Sequence, residues 1–240
     1  MFEHAQVCMA VGLGLGLAMA LAPGATAQQN PVTAIDIALE PDATMIDHAK
    51  ADNARLLTSF PKGFSLDETH HPHISVLQQF VRTSDLDKVF QAANAVLAKE
   101  KPTTWKLKAF KYYYIPAPPM GVAGIVIEPT DDLHRLQDEL VKAVEPYTVK
   151  TGAPAAFFSE DGGRDIQSEL ISYVENFVKD AAGKRFNPHV TIGVATEKYL
   201  NEMLAEPFPS FTFSPAGASV YQLGSFGTAR KELKALTLLP

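Results

Sequence analysis

Between residues 34 and 39 the chain reads "AIDIAL", apolar positions alternating with small or polar ones. Successive side chains of a strand face opposite ways, so this pattern predicts a strand. Glu40-Pro41-Asp42 ends it. Ile46, Ala49, Asn53, Leu56, Leu57 and Phe60 then recur at helical spacing. Pro61 has no amide hydrogen with which to continue a helix and stops the run. After a loop, the residues from His73 onward read as a second strand. Thr83 or Ser84 is placed to cap a second helix, whose apolar face is Leu86, Val89, Phe90, Ala93, Val96 and Leu97.

The order then starts again. "GVAGIVI" at 121–127 predicts a strand, ended by Glu128-Pro129-Thr130. A helix follows with Leu133, Leu136, Leu140, Val141 and Val144 on one face, closed by Pro146. The strand led by His189 comes next, and Thr196 caps a helix carrying Tyr199, Leu200, Met203 and Leu204. The chain therefore reads as two strand-helix-strand-helix repeats, about 31–100 and about 121–205. The Glu-Pro pairs lie 88 apart and the strand histidines 116 apart, so the second repeat carries an insertion of 28 residues within about 148–186. The insertion holds the loop "SEDGGRD" and a helix with Ile166, Leu170, Ile171, Val174, Phe177 and Val178 to one side. Further strands are expected at 105–115, before a Pro-rich turn, and in "FTFS", "ASVYQLG" and "ELKALTL". No long linker divides the chain, so the repeats are expected as two lobes of a single domain, 28–240.

Composition changes the picture at the N-terminus. Residues 7–22 form an apolar run rich in Gly, Ala and Leu, followed by Ala25-Thr26-Ala27, the small-x-small pattern of a signal-peptidase site. The run is short for a membrane span. Residues 1–27 are therefore expected to be a signal peptide and the mature chain to be periplasmic or secreted, with no stable membrane association after cleavage. The single cysteine, Cys8, falls within the leader, so the mature chain would have no thiol for a disulfide, a nucleophile or a zinc site. Of the 27 acidic residues only Glu3 is lost with it, leaving 21 basic side chains against 26 acidic ones and a net charge of −5. That balance argues against long nucleic acid as a partner, because phosphate backbones are held by clustered Lys and Arg.

The candidate chemistry lies on the two histidine strands. Residues i and i+2 of a strand share a face, so His73 lies beside Ser75, with Ile74 and Val76 turned the other way. His189 and Thr191, against Val190 and Ile192, repeat the arrangement. A single His-apolar-Ser/Thr-apolar match is expected by chance about 0.1 times in a chain of this length at typical composition, and two are correspondingly rarer. Facing each other across a cleft, the two pairs suit phosphodiester hydrolysis. One imidazole can deprotonate the attacking water and the other can protonate the leaving oxygen. The hydroxyls can donate to the charged non-bridging oxygens. No metal and no other cofactor is called for.

"HISV" at 73–76 and "HVTI" at 189–192 resemble the paired His-x-Ser/Thr-x motifs of the 2H phosphoesterase superfamily. That superfamily includes bacterial RNA 2′,5′-ligase-like proteins and 2′,3′-cyclic nucleotide phosphodiesterases. The resemblance covers essentially the whole mature chain. It implies a bilobed α+β fold in which antiparallel sheets line a central cleft. It also implies metal-independent chemistry on cyclic phosphodiesters, with His73 and His189 catalytic and Ser75 and Thr191 binding phosphate. The expected ligand is a small cyclic nucleotide or a short RNA end, acted on by a monomer. Ser75 stands where Thr is commoner in the family and keeps the hydroxyl. Export sets this chain apart from RNA-processing members, which are expected inside cells.

Rival readings are a binding module that holds a phosphorylated ligand without turnover, an RNA 2′,5′-ligase-like activity, and a metal site built from His70, His71 and His73. Neighbouring strand residues face opposite ways, which counts against the metal site. Lys184, Arg185, Arg230 and Lys231 are candidates to reach a phosphate. One of Tyr112, Tyr113 and Tyr114 is a candidate to meet the cleft, and 159–165, with Gly162-Gly163, is a candidate lid. His48 and His134 fall on predicted helices and are expected to be exposed.

Overall fold

The computed structural model describes residues 31–238; the predicted leader lies outside the described residues. In chain order the elements are β1 (Val32–Pro41), α1 (Ala43–Ser59), β2 (Ile74–Arg82), α2 (Leu86–Glu100), β3 (Leu107–Ala117), β4 (Met120–Ile127) and α3 (Asp131–Val144). Then come β5 (Thr148–Val149), α4 (Ser168–Ala181), β6 (His189–Thr196), α5 (Glu197–Leu204), β7 (Phe211–Phe213), β8 (Pro215–Leu223) and β9 (Ala229–Ala235). All strand pairs are antiparallel, in the order β7-β3-β4-β6-β2-β1-β8-β9, with β5 added on β2. The fold is α+β with a cleft.

The sheet has two halves, β7-β3-β4-β6 and β2-β1-β8-β9, each built on one histidine strand. They are joined where β6 meets β2 through a single residue pair, Ile74 with Val190. The expected pair of sheets is thus one sheet, pinched at its middle beside both motifs. The helices are exchanged across this junction. α1, from the first repeat, packs on β6 of the second, and α3, from the second, packs on β2 and α2 of the first. Ile35, Ile37, Leu39, Ile74 and Val76 of one half share a single core with Ile125, Ile127, Val190 and Ile192 of the other. At roughly 1.5–3 kcal/mol for each large side chain buried, this common core ties the lobes together.

Local signals explain most boundaries. Asp42 caps α1 through Thr44 N, Thr130 caps α3 through Leu133 N, and Thr196 caps α5 through Tyr199 N. The cap expected from Thr83 or Ser84 is absent. These residues open a short 3₁₀ turn before α2, and the Thr83 hydroxyl bonds Thr33 instead. On α1 the buried face is Met45, Ala49, Asp52, Asn53 and Leu56, with Ile46 only partly covered.

Asn53 is a polar residue on that apolar stripe. Its Nδ2 donates to the carbonyls of Ile192 (2.8 Å) and Phe64 (2.9 Å), and its Oδ1 accepts from Leu66 N (3.1 Å). It therefore fastens the loop that leads to His73 onto the strand that carries His189. The insertion packs Phe157, Ile166 and Val174 against Ala34, Phe80 and Leu223, covering part of the face of β1 and β2 that turns toward the cleft.

Candidate active site

The two histidine strands share a backbone irregularity. Between β1 and β2 the register runs Leu39 to Ile74, Ala38 to Ser75, then Ile37 to Leu77, skipping Val76. Between β4 and β6 it runs Ile125 to Val190, Gly124 to Thr191, then Ala123 to Gly193, skipping Ile192. Each strand is bulged immediately after its motif hydroxyl. In β6 the bulge needs the positive φ of Gly193 (142°), where a Cβ would also meet Asn53 Nδ2 at 2.9 Å. In β2 the bulge turns both Val76 and Leu77 into the core. Gln78 therefore returns to the cleft side with His73 and Ser75.

Both imidazoles are oriented in the same way. His73 Nδ1 lies 2.6 Å from the carbonyl of His71, and His189 Nδ1 lies 2.8 Å from that of Asn187. A carbonyl can only accept, so each Nδ1 carries a proton and donates it. Each Nε2 is left for other chemistry. The carbonyl is two residues back in both repeats, which explains how two separate strands present equivalent rings. His73 and Thr191, from different repeats, line one small cavity.

The surroundings of the two rings differ sharply. His73 Nε2 is 3.3 Å from Oδ2 of Asp36, a fully buried carboxylate on β1. The same oxygen accepts the Ser75 hydroxyl at 2.5 Å and Gln78 Nε2 at 3.0 Å. Burial alone would lower the His73 pKa, but the bond and charge of Asp36, the His71 carbonyl and Glu40 outweigh it, and the pKa is raised. His189 has no such partner. Burial pushes its pKa down and the nearby His73 adds to this, against the Asn187 carbonyl and the more distant Asp36, and the pKa is lowered. The Tyr113 ring stands edge-on to His189, centroids 4.8 Å apart. Gly124 makes room for it, since a Cβ there would meet Tyr113 Cε1 at 2.5 Å.

The hydroxyls also differ. The Ser75 proton is given to Asp36, whereas among the described residues the Thr191 side chain has no hydrogen-bond partner. Sequence reasoning placed both hydroxyls beside their histidines but missed Asp36 and Gln78. In "AIDIAL" an Asp on the polar side of an alternating strand reads as solvated.

Next to the small cavity, and sharing Phe64 and His70 with it, lies a pocket of about 330 Å³. Phe60, Phe64 and Phe226 supply aromatic walls, and Lys62 and Arg230 supply positive charge. Phe226 is half exposed and sits at φ 59°, ψ 15°, a region that bulky side chains rarely occupy. His70 stacks on Phe64 and is contacted by Arg230, whose guanidinium also reaches Thr69 O and Glu160. Burial and the Arg230 charge lower the His70 pKa, against the pull of Asp67.

The other sequence candidates are placed as follows. His71 serves through its carbonyl, its ring lying 5.5 Å from that of Tyr221. No three His, Cys, Asp or Glu side chains form a metal-holding group among the described residues. Of the three tyrosines only Tyr113 meets a histidine of the site. Tyr112 bonds Asp52, and Tyr114 bonds Asn201. Arg230 lines the pocket, whereas Lys184 and Arg185 lie exposed on a 3₁₀ turn after α4, and Lys231 is exposed on β9. Residues 159–165 are tied internally, Ser159 Oγ bonding Asp161, Asp165 and Gly163 N. His48 stacks on Phe211 at 3.8 Å, and His134 stands edge-on to Phe186.

Two imidazoles on bulged strands, each two residues before a hydroxyl, agree with the resemblance to the 2H phosphoesterases. The family model of the 2′-5′ RNA ligase superfamily matches residues 46–224, and the chain belongs to that superfamily. Membership supports a phosphodiesterase or ligase-like activity. No curated protein matches the chain in sequence. Among solved structures, the chain is similar to TT0787 of Thermus thermophilus, with 15% identity, a TM-score of 0.46, and 86% of this chain and 98% of that one covered. It is also similar to Usb1 of Kluyveromyces marxianus, with 11% identity, a TM-score of 0.40, and coverage of 87% and 99%. A third is E. coli LigT, solved with 3′-AMP, with 13% identity, a TM-score of 0.35, and coverage of 86% and 99%.

Proposed function

We propose that the protein is a metal-independent phosphodiesterase that opens a small 2′,3′-cyclic phosphate or a related cyclic phosphodiester. The observation that carries this reading is the pair of like-oriented imidazoles with opposite pKa shifts, His73 upward and His189 downward. A proton donor and a proton acceptor must coexist in the same active molecule. With the donor's pKa raised and the acceptor's lowered, the required combination is the major form between the two titrations. Had the shifts been reversed, it would be a minor one. His189 Nε2 takes a proton from the water that adds to phosphorus. The bond from phosphorus to the leaving ester oxygen breaks, its electron pair stays on that oxygen, and His73 Nε2–H protonates it. The Thr191 hydroxyl donates to a non-bridging oxygen as its charge grows.

The pocket of about 330 Å³ supports a nucleoside as the remainder of the substrate. Every base has a π-face to stack on an aromatic ring, and Lys62 and Arg230 favour an anionic ligand. Export, with cleavage before Gln28 and a periplasmic or secreted mature chain, is proposed from the leader pattern. An intact Met1 terminus on cytosolic protein would overturn it.

The test is incubation of the protein with 2′,3′-cyclic AMP and chelator. Conversion to a monoester supports the proposal. Retention without turnover points to a binding module, joining of RNA ends to a ligase-like enzyme, and loss of activity with chelator to a metal.

A further inference from the structure

The motif positions of the two repeats match pair by pair, but the match ends one step beyond the bulge. In the first repeat the next register pair is Asp36 with Gln78; in the second it is Val122 with Val194. We infer that Asp36 is the positioning residue that makes the two halves unlike: it holds His73 as the proton donor, leaves His189 as the acceptor, and so fixes the leaving oxygen of the substrate on the His73 side of the cleft. This rests on the phosphodiesterase reading.

The geometry carries the inference as follows. Asp36 is 0% exposed, and its Oδ1 has no hydrogen-bond partner among the described residues. A buried carboxylate is costly unless a positive charge meets it. The groups facing it are His73 immediately before β2, Ser75 and Gln78 from β2, His189 from β6 and Tyr173 from α4. Only the imidazoles can become cations, and only His73 is in contact. The Nδ1 proton of His73 is already committed to the His71 carbonyl, so a favourable contact between Nε2 and a carboxylate needs a second proton. That second proton is the one the leaving oxygen requires.

The remaining groups facing His73 are Glu40 on β1, which acts in the same sense as Asp36, and the Tyr221 ring on β8. His70 shares its cavity. His189 faces Tyr113, His73 and Asp36. Among the described residues the carboxylates that act on either ring, Asp36 and Glu40, thus both lie in the first repeat. The insertion completes the device: Phe157 and Val174 cluster with Ala34 and Phe80, next to the fully buried Asp36.

The test has two arms. In the first, side-chain ¹⁵N chemical shifts of the wild-type histidines are followed through a pH titration. His189 is expected to lose its second proton first, keeping the one on Nδ1, and His73 to keep its second proton to higher pH. The reverse order, or simultaneous loss, overturns the inference, and this arm needs no activity. The second arm uses Asp36→Asn, which keeps an acceptor for Ser75 but removes the charge. Its expected effect is a shift of the alkaline limb of kcat/KM to lower pH. Above the shifted limb, activity on 2′,3′-cyclic AMP falls relative to wild type by up to the roughly 10²–10⁴-fold that a general acid contributes. A nitrophenyl phosphodiester, whose leaving group departs without a proton, should lose little. Asp36→Glu should restore part of the alkaline activity. Equal losses on both substrates with an unmoved limb would make Asp36 a structural tie only. If the Asn variant fails to fold, the wild-type shifts decide. If the wild-type protein hydrolyses no cyclic phosphate, the enzymatic reading falls while the shifts still report on Asp36.

Discussion

Replacing Asn53 with Ala should destabilise the protein far more than its modest size suggests. Asn53 is 4% exposed, and its side chain makes three hydrogen bonds to backbone groups: Ile192 O at 2.8 Å, Phe64 O at 2.9 Å and Leu66 N at 3.1 Å. Ala leaves all three without their partner. A buried polar group left unsatisfied costs about 1–3 kcal/mol. Water entering the small space offsets part of that for the groups nearest the surface. The expected loss is therefore about 3–5 kcal/mol. In a domain of this size 1 kcal/mol moves the melting temperature by about 2–4 °C, so a fall of roughly 10 °C is expected. Trp105, the chain's only tryptophan, is buried in the main core and gives a fluorescence signal for urea unfolding. Asn53→Asp keeps the acceptor for Leu66 N but turns a carboxylate toward two carbonyls, so it should cost at least as much as Ala. An Ala variant within about 0.5 kcal/mol of wild type, the range of neutral surface changes, would refute the view that Asn53 clamps the two motifs together.

Two further substitutions separate the parts of the site. Thr191→Val should lower kcat by about 10²–10³-fold, the loss typical of one oxyanion donor. Ser75→Ala should cost clearly less, because the Ser75 proton goes to Asp36; steady-state kinetics of the two variants side by side check the order, and equal losses would contradict it. Phe226→Ala should raise KM for a cyclic nucleotide by roughly tenfold with kcat little changed, since base stacking is worth about 1–3 kcal/mol. Unchanged KM would remove the nucleoside from that pocket.

Much of this arrangement is legible in the sequence. Period-two alternation placed both histidine strands, and the spacing i to i+2 put His73 with Ser75 and His189 with Thr191. Pro61 and Pro146 mark helix ends, and Thr196 is a cap where a cap is found. What escaped depends on tertiary partners. Asp36 reads as an exposed polar position until the insertion covers its neighbours. Gln78 reaches the cleft only because the bulge at Val76 shifts the alternation by one residue, and no local sequence signal marks that bulge. The Gly193 bulge could have been suspected, since an isolated Gly within a strand often marks one. Asn53 was correctly placed on the buried stripe of α1, but its role appears only once β6, from the other repeat, packs against it. That exchange of helices between lobes leaves no trace in the periodicity of either helix.

The most direct test of two-histidine catalysis is the pH dependence of 2′,3′-cyclic AMP hydrolysis by wild type, His73→Ala, His189→Ala and the double variant. The wild-type profile should be bell-shaped, its limbs belonging to the coupled pair. The acid limb reports loss of the free base as the lowered titration is crossed downward. The alkaline limb reports loss of the acid as the raised one is crossed upward. Each single variant should lose most of the activity, and the double variant should lose little more, because the two residues act as a unit. Normal hydrolysis by either single variant would contradict the mechanism.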